Sequence, residues 1–207
     1  DDADPMDDNV HGTHVAGTIG AIGNNGTGVA GINWQSKILP VRVLGKCGGY
    51  DSDILAGMRW AAGLFVQGLP SNLNRARVIN LSLSGEGVCT APYRDAVAEV
   101  NAAGTVIVAS AGNSEGHAVG TPANCDGVIA VAALRHAGTK VGFSDLGPEI
   151  AVSAPGGNCV NISAGSPCLY PILTTTDSGT TIPAGPIYTD SYNASLGFAQ
   201  GGIVSLV

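Results

Sequence analysis

The sequence is short of charge. Only 12% of its 207 residues are Asp, Glu, Lys or Arg, and just nine are basic, so the formal balance is −7. Phosphate binding needs a basic face, which excludes nucleic acid as a natural partner. No apolar run approaches the ~20 residues that cross a bilayer, so no membrane partner is expected. No basic-then-apolar leader opens the chain, which reads as a processed form or an internal piece. No two of the five cysteines form a C-x-x-C pair, which argues against a structural zinc site. No internal repeat is visible.

Apolar residues make up 44% of the chain, and there are 31 glycines. This describes a well-filled core with tightly turned loops rather than disorder. The length fits one domain, taken as residues 1–207. Five cysteines fit two disulfides and a spare thiol in an oxidising compartment; five reduced thiols in a cytosolic protein are the alternative.

Patterning gives alternating helices and strands. From Val10, Val15, Ile19 and Ile22 share a helical face. Residues 37–44 read as a buried strand, and a helix runs from Ser52 or Asp53 to about Phe65. A strand follows over 77–83, a helix over 93–103 closed by Gly104, then strands over 105–111, 127–133 and 149–152. Strands alternating with helices of ten or more residues predict a doubly wound, mostly parallel α/β sheet with helices on both faces. After Ala154 the chain reads as loop and hairpin. The acidic opening and the Gly201–Val207 ending make the domain look incomplete at both ends.

Chemistry concentrates first in His11-Gly12-Thr13-His14-Val15-Ala16-Gly17. A histidine at a helix start, followed by small residues, can shuttle a proton near neutral pH. A zinc-binding His11/His14 pair is the competing view, but no third ligand lies nearby. Gly26-Thr27-Gly28-Val29-Ala30-Gly31 has dinucleotide-loop spacing, yet it follows a helix rather than a strand.

The His11 segment resembles the histidine block of the subtilase family of serine proteases. Asn80-Leu81-Ser82-Leu83-Ser84-Gly85 resembles the family's substrate-pairing strand, and Ala109-Ser110-Ala111-Gly112-Asn113-Ser114 its oxyanion-hole block. The stretches 122–133 and 143–156 also match family segments. The closest flavour is the secreted, cysteine-containing bacterial type.

The resemblance implies a secreted, extracellular, monomeric endopeptidase acting on peptides or proteins. His11 would be the general base, and Asn113 would donate to the oxyanion. Ser82, Leu83, Ser84 and Gly85 would form one wall of the primary pocket and pair with extended peptide. The extended peptide would lie between this wall and the strand end near Gly112, and Gly120 would sit at the pocket floor, leaving room for a large apolar group. Gly23-Asn24-Asn25-Gly26-Thr27-Gly28-Val29 resembles the family's calcium loop, with Asn25 and the carbonyls of Gly23, Thr27 and Val29 as ligands; a metal-free glycine turn is the alternative.

Two family signatures have no match. The triad Asp belongs in an Asp-Thr/Ser-Gly turn before the histidine block, but the only Asp-Ser-Gly is Asp177-Ser178-Gly179. The nucleophile belongs in Gly-Thr-Ser-x-Ala-x-Pro, where this chain has Tyr192 to Ile203, with Ser195 out of register. The 207 residues as they stand are therefore expected to be inactive, and a catalytically dead peptide-binding protein is the alternative function. Strand adjacency pairs Cys47 with Cys89 and Cys125 with Cys159, leaving Cys168 free; Cys125–Cys168 is the other option.

Overall fold

A computed structural model describes Asp7 and residues 11–45, 48–157, 172–177 and 186–189. Its helices are α1 (His11–Gly20), α2 (Asp51–Ala61) and α3 (Ala91–Ala102). Its strands are β1 (Val78–Leu81), β2 (Val106–Ser110), β3 (Val128–Leu134), β4 (Ile150–Pro155), β5 (Thr174–Asp177) and β6 (Pro186–Thr189). Strands β1 to β4 form a parallel sheet in sequence order; β5 and β6 form a separate antiparallel hairpin.

The apolar stripes of α2 (Ile54, Leu55, Met58, Ala61) and α3 (Tyr93, Ala96, Val97, Val100) are buried with Ile79, Leu81, Ile107, Ala109 and Ala130 of the sheet in one cluster. Val108, Val131 and Ala154 form a second, smaller cluster. Near it, Val106, Ile129 and Val152 remain 43%, 38% and 46% exposed.

Helix ends follow local chemistry. Gly104 (φ +80°) lets Thr105 N–H reach Val100 O and its own N–H reach Asn101 O, which closes α3 as expected. Gly63 (φ +77°) does the same for α2, with Leu64 N–H donating to Arg59 O. The helix expected to reach Phe65 therefore stops at Ala61. Asn72 reinforces the stop by donating its side-chain amide to Trp60 O and Ala61 O.

Residues 37–44 are not a sheet strand. Pro40 has no N–H to donate. The segment is irregular, and Val41, Val43 and Leu44 pack against the main core without a ladder.

That absence also explains the disulfide. Cys89 bonds to Cys125, with Cα atoms 5.2 Å apart, rather than to Cys47. Equally, Cys125 bonds neither Cys159 nor Cys168; Cys47, Cys159 and Cys168 lie outside the described residues. Strand adjacency misled because its first strand is not in the sheet. The loop after β1 is instead zipped to the segment before β3. Gly85 and Thr121 exchange both backbone hydrogen bonds (2.8 and 2.9 Å), and Asn124 Nδ2 donates to Gly87 O at 2.8 Å. This zipper delivers Cys89 to Cys125.

The bond closes a loop across 36 residues of sequence separation. Replacing both cysteines with serine is expected to cost about 3–4 kcal/mol by the chain-entropy relation. Urea denaturation of the two proteins measures the difference, and non-reducing peptide mapping should recover the Cys89–Cys125 pair. Equal stability, or a Cys47–Cys89 peptide, would refute the assignment.

Candidate active site

In a parallel sheet the carboxyl ends of all strands open on one side, where ligands bind. The segments leaving β1 and β2 meet there. Ser110 Oγ donates to Leu83 O at 3.4 Å, and Asn80 Nδ2 donates to Ser82 Oγ at 2.9 Å. Gly120 N–H donates to Ala111 O at 3.0 Å, which brings the 119–122 turn alongside. Thus Ser82–Gly85, Gly112 and Gly120 converge, with Asn113 exposed next to Gly112.

The contacts are too close for side chains. A Cβ on Gly120 would lie 2.1 Å from Ser84 Oγ and 2.6 Å from Gly85 O. The space that Gly120 leaves is therefore filled by the neighbouring wall, not held open for a large apolar group. A Cβ on Gly112 would lie 2.2 Å from Asp145 Oδ2 and 3.3 Å from Ser84 Oγ, and its φ of +119° independently requires glycine. Gly85 spends its N–H and carbonyl on Thr121.

His11 is fixed by other contacts. It opens α1, and Asp7 Oδ2 accepts from Thr13 N (2.7 Å) and Thr13 Oγ1 (2.8 Å), placing a carboxylate at the positive end of the helix. On the helix flank, Thr175 Oγ1 donates to Thr13 O at 2.9 Å and Thr174 Oγ1 to His14 O. This approach needs Gly17, where a Cβ would lie 2.1 Å from Thr175 Oγ1.

His14 Nε2 is buried and has no hydrogen-bond partner among the described residues. Burial holds the His14 imidazole below its ordinary value. Neighbouring His11 adds to this, and Asp7 opposes it. His14 is therefore biased toward the neutral form. No group of three or more His, Cys, Asp or Glu able to hold a metal occurs among the described residues.

In the glycine loop, Asn25 Oδ1 accepts from Thr27 N at 3.1 Å, and Asn24, Gly26 and Gly28 have positive φ. Asp177 ends β5 and pairs opposite Pro186 of β6. Residues 192–203, including Ser195, lie outside the described residues.

The subtilase-family model (peptidase S8) matches residues 1–197. The chain belongs to the subtilase family. An extracellular protease of Xanthomonas campestris pv. campestris is 45% identical over 199 residues, covering 95% of this chain and 32% of the relative. An extracellular basic protease of Dichelobacter nodosus is 41% identical over 203 residues, covering 95% of this chain and 31% of the relative. The chain thus spans about a third of the length of these curated relatives. A solved protease of Pseudoalteromonas arctica superposes with a TM-score of 0.83 at 41% identity, over 95% of this chain and 55% of that one. The fold is the α/β subtilase fold. No helix among the described residues is long and apolar enough to cross a membrane.

Two charged residues of this subtilase went unrecognised in the sequence. Asp7 caps α1 from six residues away, outside ordinary capping spacing. Asp145 lies within the family-like stretch 143–156, but its partners at 114–117 are distant in sequence.

Gly120→Ala should destabilise the protein by about 1–3 kcal/mol, because the added methyl must displace Ser84 and the Gly85 backbone. It should also weaken peptides with large and small pocket side chains alike. Denaturant midpoints and peptide titrations test this; unchanged stability would show that the wall yields freely.

Proposed function

We propose that this site belongs to a secreted serine endopeptidase working through an acyl-enzyme. His11 is the general base. Asn113 donates its side-chain N–H to the developing oxyanion. Ser82, Leu83 and Ser84 offer the edge on which an extended peptide lies. Gly85, Gly112 and Gly120 form the walls beneath it. The observation that carries this reading is the meeting of the 82–85 segment with Gly112 and Asn113 at the carboxyl ends of β1 and β2. Relatives named extracellular proteases support secretion.

Within these 207 residues the triad Asp and the nucleophilic Ser have no sequence match. Asp7 Oδ2 accepts from Thr13 N and Thr13 Oγ1 at the start of α1. The 207 residues alone are proposed to bind peptides without cleaving them at a subtilase rate. Triad members act as a unit, so two losses cost little more than one. In subtilisin, the oxyanion hole and binding alone leave ~10³–10⁴-fold over water. A fluorogenic peptide assay with a fluorophosphonate probe tests the proposal. Peptide binding without turnover or labelling is expected. Robust turnover with the probe on any serine would overturn it.

The Gly23–Val29 loop is proposed to bind calcium. Its donors (Asn25 Oδ1 and the carbonyls of Gly23, Thr27 and Val29) are all neutral oxygens, which suit calcium and not zinc. Asn25 Oδ1 keeps a lone pair beyond the one used by Thr27 N–H. These donors fall short of the ~6–8 oxygens that calcium takes, so further ligands must come from elsewhere. Calcium at about a hundred times its Kd should raise Tm, because only the folded state binds it. No shift in millimolar calcium would refute the site.

A further inference from the structure

Asp145 is 2% exposed, yet it carries a carboxylate. Burying such a group is costly unless hydrogen bonds compensate. Here Oδ1 accepts three backbone N–H groups, from Ser114 (2.9 Å), Gly116 (3.2 Å) and His117 (3.0 Å). Converging N–H groups of this kind form an anion-binding nest. In this protein the anion is an internal side chain.

The nest follows Asn113 directly. Glu115 sits at its centre with φ +62°, a left-handed conformation that a non-glycine residue holds only under outside constraint. Glu115 N–H donates to Phe143 O at 3.0 Å, and Leu146 N–H to His117 O at 3.0 Å. Asp145 also grips the other side of Asn113. Its backbone N–H donates to Gly112 O at 3.0 Å, and its Oδ2 lies against the Gly112 Cα. One residue thus binds the carbonyl preceding Asn113 and the N–H following it.

The loop presenting Asp145 is itself anchored. Ser144 Oγ accepts from Ala133 N of β3 at 3.0 Å. Lys140 Nζ donates to Val141 O (2.9 Å), Gly142 O (2.9 Å) and Ser144 O (3.0 Å). The sheet therefore holds Asp145, and Asp145 holds the peptide planes flanking Asn113.

We propose that Asp145 is the positioning residue of the oxyanion-stabilising loop, locking the backbone on both sides of Asn113 and so aiming its amide at the carbonyl oxygen of a bound peptide. This rests on the reading of Asn113 given above. An oxyanion donor contributes only when aimed at the oxygen in advance, and small misplacements cost much of its effect.

The test needs no turnover. A peptide ending in a free carboxylate places an anionic oxygen where the oxyanion forms; the same peptide as a C-terminal amide does not. Isothermal titration on the chain should show the carboxylate peptide bound about tenfold more tightly, the scale of one hydrogen bond to a charged group. Asn113→Ala should abolish that preference. Asp145→Asn and Asp145→Ala should also reduce it, while affinity for the amide peptide, carried by residues 82–84, stays the same. Combining either with Asn113→Ala should add nothing further, since both act on one interaction.

An Asp145 variant that keeps the preference, or weakens both peptides equally, would overturn the positioning role while leaving the site reading intact. A wild type with no carboxylate preference would overturn the reading of Asn113 and this role together. Asp145→Asn keeps the side chain's shape, so it carries the test if Asp145→Ala does not fold. If neither variant folds, Asp145 is a structural residue and the proposal is wrong.

Discussion

The site depends on the parallel pairing of β1 with β2. Val78 lies beside Val106 and Leu81 beside Ala109, so both strands end at the same level and on the same side. Their continuations, 82–85 and 111–113, must leave the sheet as neighbours. Helix α3 is what returns the chain to start β2 from the correct end. Its buried face of Tyr93, Ala96, Val97 and Val100 seals the crossover to the sheet. An antiparallel pair would have placed the two segments at opposite ends.

Where those segments meet, glycine main chain packs directly against neighbouring side chains. Gly112 and Gly120 bring main chain within contact of Ser84, Gly85 and Asp145. Gly17 does the same between α1 and β5. These contacts set glycine main chain against the side chains of Ser84, Asp145 and Thr175 and against Gly85 O, so a Cβ at any of the three positions would have to displace a neighbour. The polar groups present are largely committed inward: Asp145 to its nest, Asp7 to α1 and Lys140 to three carbonyls.

Regular periodicity made most of the framework legible. Strands β1 to β4 and helices α2 and α3 sit where apolar spacing puts them, because each buries one repeating face in the core. Boundaries set by a single residue were harder. Gly63 ends α2 before Phe65, and Pro40 keeps 37–44 from laddering although Val41 and Val43 still point to the core. The blocks around His11 and Asn113 were readable because each is contiguous in sequence. Asp145 was not, since its partners at 114–117 are joined to it only by folding. The Cys89–Cys125 bond was hidden for the same reason: the Gly85–Thr121 zipper that creates it has no local signature.

That disulfide encloses more than a stabilised loop. Between Cys89 and Cys125 lie α3, β2, Asn113, its nest and Gly120, so half the site and the helix beneath it form one covalent ring. The exposed stretch from Asn113 to Ala118 lies within this ring, its backbone pinned by Asp145 and Phe143. A single cut there opens the ring without releasing either piece. Helix α3 and β2 would stay tethered to the turn carrying Gly120, and the broken ends would remain held by sheet pairing on one side and by sulfur on the other.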